Sequence, residues 1–124
     1  MAKIMIVDDS AMSRRILRDI LISERHEVVE AQDGMAALET YFLQKPDLVM
    51  LDLIMKGMYG LDVLAKLKEM DSSVRVVVAS ADIQNSTRQL AEQAGAVAFI
   101  TKPFDSQEIV AAVRTALKEK NHAS

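Results

Sequence analysis

The chain has 124 residues, half of them apolar, which is enough for one compact domain with a substantial core. A net charge of −3 weighs against nucleic-acid binding as the main activity, and the lack of cysteine excludes disulfides, thiolate metal sites and a cysteine nucleophile. No run approaches the ~18 apolar residues of a membrane helix, and the Met-Ala-Lys start has no signal-peptide cleavage region, so a cytoplasmic protein is expected.

In chain order, short β-branched runs alternate with helical periodicity. The predicted strands are Lys3–Val7, Glu27–Ala31, Leu48–Asp52, Val74–Ala79 and Val97–Thr101. Three are nearly continuous apolar runs, as expected where helices cover both faces of a parallel sheet. The first helix has an expected inner stripe of Met12, Ile16, Leu17, Ile20 and Leu21. The second follows Asp33 as N-cap, with Met35, Leu38 and Phe42 inward. Leu61, Leu64 and Leu67 mark the third, and Ile109, Val110, Val113 and Leu117 the fifth, where Asp105 and Glu108 have capping-box spacing. The fourth, over about 83–94, offers only Ile83, Thr87, Leu90, Ala91 and Ala94 inward, then stops at Gly95. Such small and polar residues bury little area, so this helix is expected to pack weakly and to be able to move. The domain is expected over 1–120, with Asn121–Ser124 as a frayed tail.

Five strand–helix alternations imply a doubly wound α/β sandwich with right-handed crossovers, in which ligands bind at the C-terminal ends of the strands. Those ends carry Asp8, Asp9 and Ser10 after strand one, Asp52 on strand three, Ser80 after strand four and Lys102 after strand five. Singly, each has an ordinary use: a helix cap, a turn former, a solvated hydroxyl, a surface lysine. Jointly, four strands deliver complementary chemistry to one rim. Three clustered carboxylates repel unless a cation joins them, and a hard divalent ion such as Mg²⁺ suits oxygen ligands. A carboxylate can attack phosphorus to form an aspartyl phosphate, and Mg²⁺, Lys102 and the Ser80 hydroxyl would stabilise the phosphoryl oxygens.

The motifs Ile-Val-Asp-Asp-Ser (6–10), Leu-Asp-Leu-Ile-Met (51–55), Val-Ala-Ser-Ala (78–81) and Phe-Ile-Thr-Lys-Pro-Phe (99–104) span nearly the whole chain. Together they resemble the receiver domain of two-component response regulators, close to the stand-alone chemotaxis type. The resemblance implies a flavodoxin-like five-stranded parallel sheet in the order 2-1-3-4-5. It also implies that Asp52 accepts a phosphoryl group from a sensor histidine kinase or phosphotransfer protein. Asp9, Asp52 and the carbonyl of Ile54 would ligate Mg²⁺, with Asp8 reaching it through water. Ser80 and Phe99 would be the switch residues, Lys102 the phosphate's ionic partner, and the Lys102–Pro103 bond cis. The target would be a protein docking on the face of helix four, strand five and helix five, with the chain a monomer or a phosphorylation-dependent dimer. A relay or sink for phosphate is the alternative within the family.

Two departures stand beside the acceptor. Lys56 replaces a usual proline and adds a cation, and Tyr59 replaces a usual Asp or Asn. Apolar Ile54 is expected to hinder an attacking water, whereas Asp82 could orient one. Ser80 and Lys102 are expected to gain partners only in the phosphorylated state, pulling the strand-four loop inward. An Asp-nucleophile phosphatase would need an acid–base Asp two residues past Asp52, where Ile54 stands. A flavin carrier would place phosphate against Asp8 and Asp9, which would repel it.

Overall fold

A computed structural model describes residues 1–81 and 84–122, with side chains through 118. Its elements are β1 (Lys3–Val7), α1 (Ala11–Ser23), β2 (Glu27–Ala31), α2 (Gly34–Gln44), β3 (Leu48–Leu51), α3 (Gly60–Met70), β4 (Val76–Ser80), α4 (Asn85–Gln93), β5 (Ala98–Thr101) and α5 (Ser106–His122). The strands form one sheet in the order β2-β1-β3-β4-β5, all neighbours parallel. The predicted topology is therefore the observed one. No described helix is long and apolar enough to cross a membrane.

Strand alternation divides the core into two layers. Met5, Val7, Val49, Leu51, Val76 and Val78 point to α2, α3 and α4. Ile4, Ile6, Leu48, Met50, Val77 and Ala79 point to α1 and α5. β3, central in the sheet, is buried at all four positions. Burying one large aliphatic side chain contributes ~1.5–3 kcal/mol, so this strand, which leads directly into Asp52, is firmly anchored.

Helix starts follow local chemistry. Ser10 caps α1 by accepting from the Ser13 N–H, and Asp33 caps α2 by accepting from the Ala36 N–H at 2.8 Å. Asp105 accepts from the Gln107 N–H ahead of α5. α5 runs from Ser106 to His122.

Several expected inner faces differ. On α2, Met35 and Phe42 are exposed, and Gly34, Ala37 and Tyr41 face the core. A Cβ on Gly34 would come within 2.9 Å of Met58 and Val63, so α2 sits close on small residues. Tyr41 is tolerated inside because its hydroxyl donates to Asp71 at 2.7 Å. On α1, Leu17 and Leu21 are buried, but Met12 and Ile16 are exposed.

On α4, Leu90 is exposed and Ala91 is the only buried residue among those described. The helix has no side-chain N-cap, so it is lightly held, as expected. Gly95 follows it at φ 107, the left-handed geometry of a helix stop. Asp82 and Ile83 lie outside the described residues.

Candidate functional site

β1, β3, β4 and β5 end at one rim. Val7 pairs with Leu51, Leu51 with Val78, and Ser80 with Thr101, so parallel register brings Asp8, Asp52, Ser80 and Lys102 together. Asp52 follows the last residue of β3, and Ser80 is the last residue of β4. The Lys102–Pro103 bond is cis.

The Asp52 side chain is nearly buried and has three donors. Ser80 Oγ donates to Oδ1 at 2.8 Å, the Ile54 N–H to Oδ1 at 3.0 Å, and Lys102 Nζ to Oδ2 at 3.1 Å. Lys102 Nζ also lies 2.9 Å from Asp8 Oδ2. That approach is an ion pair without hydrogen-bond alignment, and Asp8 Oδ2 is buried with no hydrogen-bond partner. Asp8 Oδ1 accepts from the Ser10 N–H at 2.8 Å. Asp9 is exposed and accepts from the Lys56 N–H at 3.2 Å.

Oxygen atoms of Asp8, Asp9 and Asp52 lie within 4.8 Å of one another. Two of these carboxylates are buried, and a buried charge is costly unless it is compensated. Burial, the main cause, and the Asp52 charge push the Asp8 carboxyl above its ordinary range, against the Ser10 N–H and Lys102. Burial alone would lower the Lys102 pKa, but contact with Asp8 and Asp52 more than offsets it and raises the net value. The Lys102 shift reflects two carboxylates sharing one ammonium. With a buried oxygen that has an ion-pair contact but no hydrogen bond, in an all-oxygen donor set, these residues fit a hard divalent cation.

The expectation that Ser80 and Lys102 gain partners only after phosphorylation is corrected. Both already bind Asp52, because a buried carboxylate needs donors in its resting state too. Ser80 has one hydroxyl proton, so a switch through it must exchange a partner rather than acquire one.

Phe99 on β5 is half-buried, and the Arg88 guanidinium of α4 lies 4.8 Å from its ring centroid. The Ile54 side chain is half-exposed beside the acceptor, and Lys56 and Tyr59 are exposed.

Three contributors escaped the sequence reading. Arg88 touches Phe99 only through tertiary packing. Arg14 donates to the Asp8 carbonyl at 2.7 Å and to Glu30 at 3.0 Å. Gly60, the first residue of α3, packs on the backbone of Asp52 and Leu53, and its position eight residues past the acceptor was the one visible signal.

Residues 4–114 match the model of the response regulator receiver domain. The chain is 40% identical over 116 residues to the chemotaxis protein CheY of Bacillus subtilis, covering 93% of this chain and 97% of that protein. It is 34% identical over 120 residues to sporulation initiation phosphotransferase F of the same organism, covering 97% of each. The crystal structure of a CheY-like receiver domain protein from Methanospirillum hungatei superposes with a TM-score of 0.95 at 22% identity, covering 100% of this chain and 99% of that one, a likeness of fold. With the acidic rim built on that fold, the chain belongs to the response regulator receiver domain family.

Proposed function

We propose that this chain is a phosphorylation-activated response regulator whose acceptor is Asp52, with residues 1–120 acting as one cytoplasmic receiver domain. Receiver domains are phosphoacceptors rather than conventional enzymes. The observation that carries the assignment to Asp52 is its setting: a buried carboxylate bonded by Ser80, Ile54 and Lys102 beside two more carboxylates.

The donor is the phosphohistidine of a sensor kinase or phosphotransfer protein. An Asp52 carboxylate oxygen forms the new O–P bond. The P–N bond breaks, and the imidazole nitrogen keeps its electron pair. Lys102 Nζ, already 3.1 Å from Asp52, neutralises charge on the phosphoryl oxygens, and the Ser80 hydroxyl turns from Oδ1 to donate to one of them. Asp8, Asp9, Asp52 and the Ile54 carbonyl would hold Mg²⁺. When bound, the ion supplies positive charge for the transferring group.

Ser80 leads β4 into α4, the lightly packed helix. Its change of partner shifts that loop, Phe99 turns inward and leaves Arg88, and the face of α4, β5 and α5 changes for a protein target. The match to a protein named as a phosphotransferase favours a second reading, a relay that passes the phosphoryl group onward.

The test is beryllofluoride, a stable mimic of the acyl phosphate, followed by fluorine NMR. A bound resonance that needs Mg²⁺ and vanishes in Asp52→Asn is expected. A bound resonance that persists in Asp52→Asn would move the acceptor elsewhere.

Lifetime is a second expectation. The half-exposed Ile54 side chain offers an attacking water no polar contact. Ile54→Asn should speed loss of phosphate by a factor of about five, equivalent to ~1 kcal/mol in the barrier. Equal decay rates in a phosphate-release assay would remove Ile54 from this role.

A further inference from the structure

Asp8 has four polar atoms, and hydrogen bonds within the protein hold three of them, while the fourth, Oδ2, meets Lys102 as an ion pair. Its N–H donates to the Ala31 carbonyl at 3.2 Å, its Oδ1 accepts from the Ser10 N–H at 2.8 Å, and its carbonyl accepts from Arg14 Nη1 at 2.7 Å. Only Oδ2 has no hydrogen-bond partner. The peptide joining Asp8 to Asp9 is planar, so a bond at the Asp8 carbonyl also sets the direction in which the chain enters Asp9.

Arg14 is itself held. Its side chain is only 16% exposed, and its Nε donates to Glu30 Oε1 at 3.0 Å. Arg18 lies 3.4 Å from the other Glu30 oxygen. Glu30 sits on β2 in register with Ile6, one pair before Val7 and Ala31. A guanidinium thus spans from the end of β2 to the peptide between two members of the acidic cluster. Its fork makes both contacts at once, which a lysine ammonium would do poorly.

As a charge, Arg14 would oppose a cation at this rim. Its geometry has the other sign of effect, because it keeps the two aspartates arranged. We propose that Arg14, braced by Glu30, is a positioning residue that holds the Asp8–Asp9 turn in cation-binding geometry. The proposal rests on the reading of Asp8, Asp9 and Asp52 as a divalent-cation site.

The experiment is calorimetric titration of the full chain with Mg²⁺, alongside urea unfolding, for the wild type, Arg14→Gln and Arg14→Lys. Arg14→Gln should bind Mg²⁺ about tenfold more weakly, the size of loss seen when an outer-shell support of a metal ligand is removed. Loss of a nearby positive charge alone would instead tighten binding. Arg14→Lys keeps the charge but not the fork, and should also bind more weakly. Unchanged or tighter binding in Arg14→Gln, or wild-type binding in Arg14→Lys, would overturn the proposal. So would a fall in unfolding midpoint with an unchanged Mg²⁺ constant, the mark of a merely structural tie. A wild type that takes up no Mg²⁺ would instead defeat the cation-site reading itself.

Discussion

Gly60→Ala is expected to be among the most damaging single-methyl changes in this chain. A Cβ there would stand 2.3 Å from the Leu53 Cα and 2.6 Å from the Asp52 carbonyl oxygen. Both obstacles are backbone, so no side-chain rotation relieves the clash. The Gly60 N–H also donates to the Leu53 carbonyl at 3.0 Å, which ties the start of α3 to the same segment. Overpacking in a tight core costs ~1–3 kcal/mol, and a backbone obstacle belongs at the upper end, about 3 kcal/mol. For a domain of this size that loss corresponds to a fall in melting temperature of roughly 10 °C. Because the displaced backbone carries Asp52, phosphoryl acceptance should fall as well. Gly57→Ala is the control: no atom lies within 4 Å of its Cβ position, and only φ 91 opposes the substitution. Its cost should be nearer ~1 kcal/mol, the scale of one left-handed residue. Thermal unfolding of both variants checks the pair, and similar melting temperatures would refute the close-packing argument.

Lys102→Met should separate chemistry from cation binding. Methionine replaces much of the apolar stem but removes the ammonium that lies 2.9 Å from Asp8 and 3.1 Å from Asp52. Fixed positive charge at the transferring group is worth about 10²–10³ in rate where a single donor has been removed, so phosphorylation by acetyl phosphate should slow about 100-fold. Mg²⁺ binding should persist or tighten, because a competing cation has gone. A labelling rate within about threefold of wild type would show that Lys102 serves the resting ion pair rather than the transfer, since a few-fold change is under ~1 kcal/mol.

The sheet was legible because its central strands are continuous apolar runs, and β1 and β2 have the predicted bounds. The ends of β3, β4 and β5 differ from the expected ones by one or two residues. Helix faces were less legible. Periodicity favours large apolar residues, whereas α2 turns Gly34, Ala37 and Tyr41 inward and leaves Met35 and Phe42 outside. What decides this is the closeness of α2 to α3, which no local pattern encodes. The rim was legible because its main groups sit at strand ends, where a doubly wound sheet gathers them. Resting contacts were not: Ser80 and Lys102 already satisfy Asp52, a consequence of its burial. Arg14 and Arg88 act across distances that only the folded chain defines.

The most direct test is intact mass after incubation with acetyl phosphate, with and without Mg²⁺, for the wild type and Asp52→Asn. A single phosphoryl adduct that requires Mg²⁺ and is absent from Asp52→Asn is the predicted result. A well-folded protein that binds Mg²⁺ but gains no adduct would contradict the account, and would leave a receiver fold that works through protein binding alone.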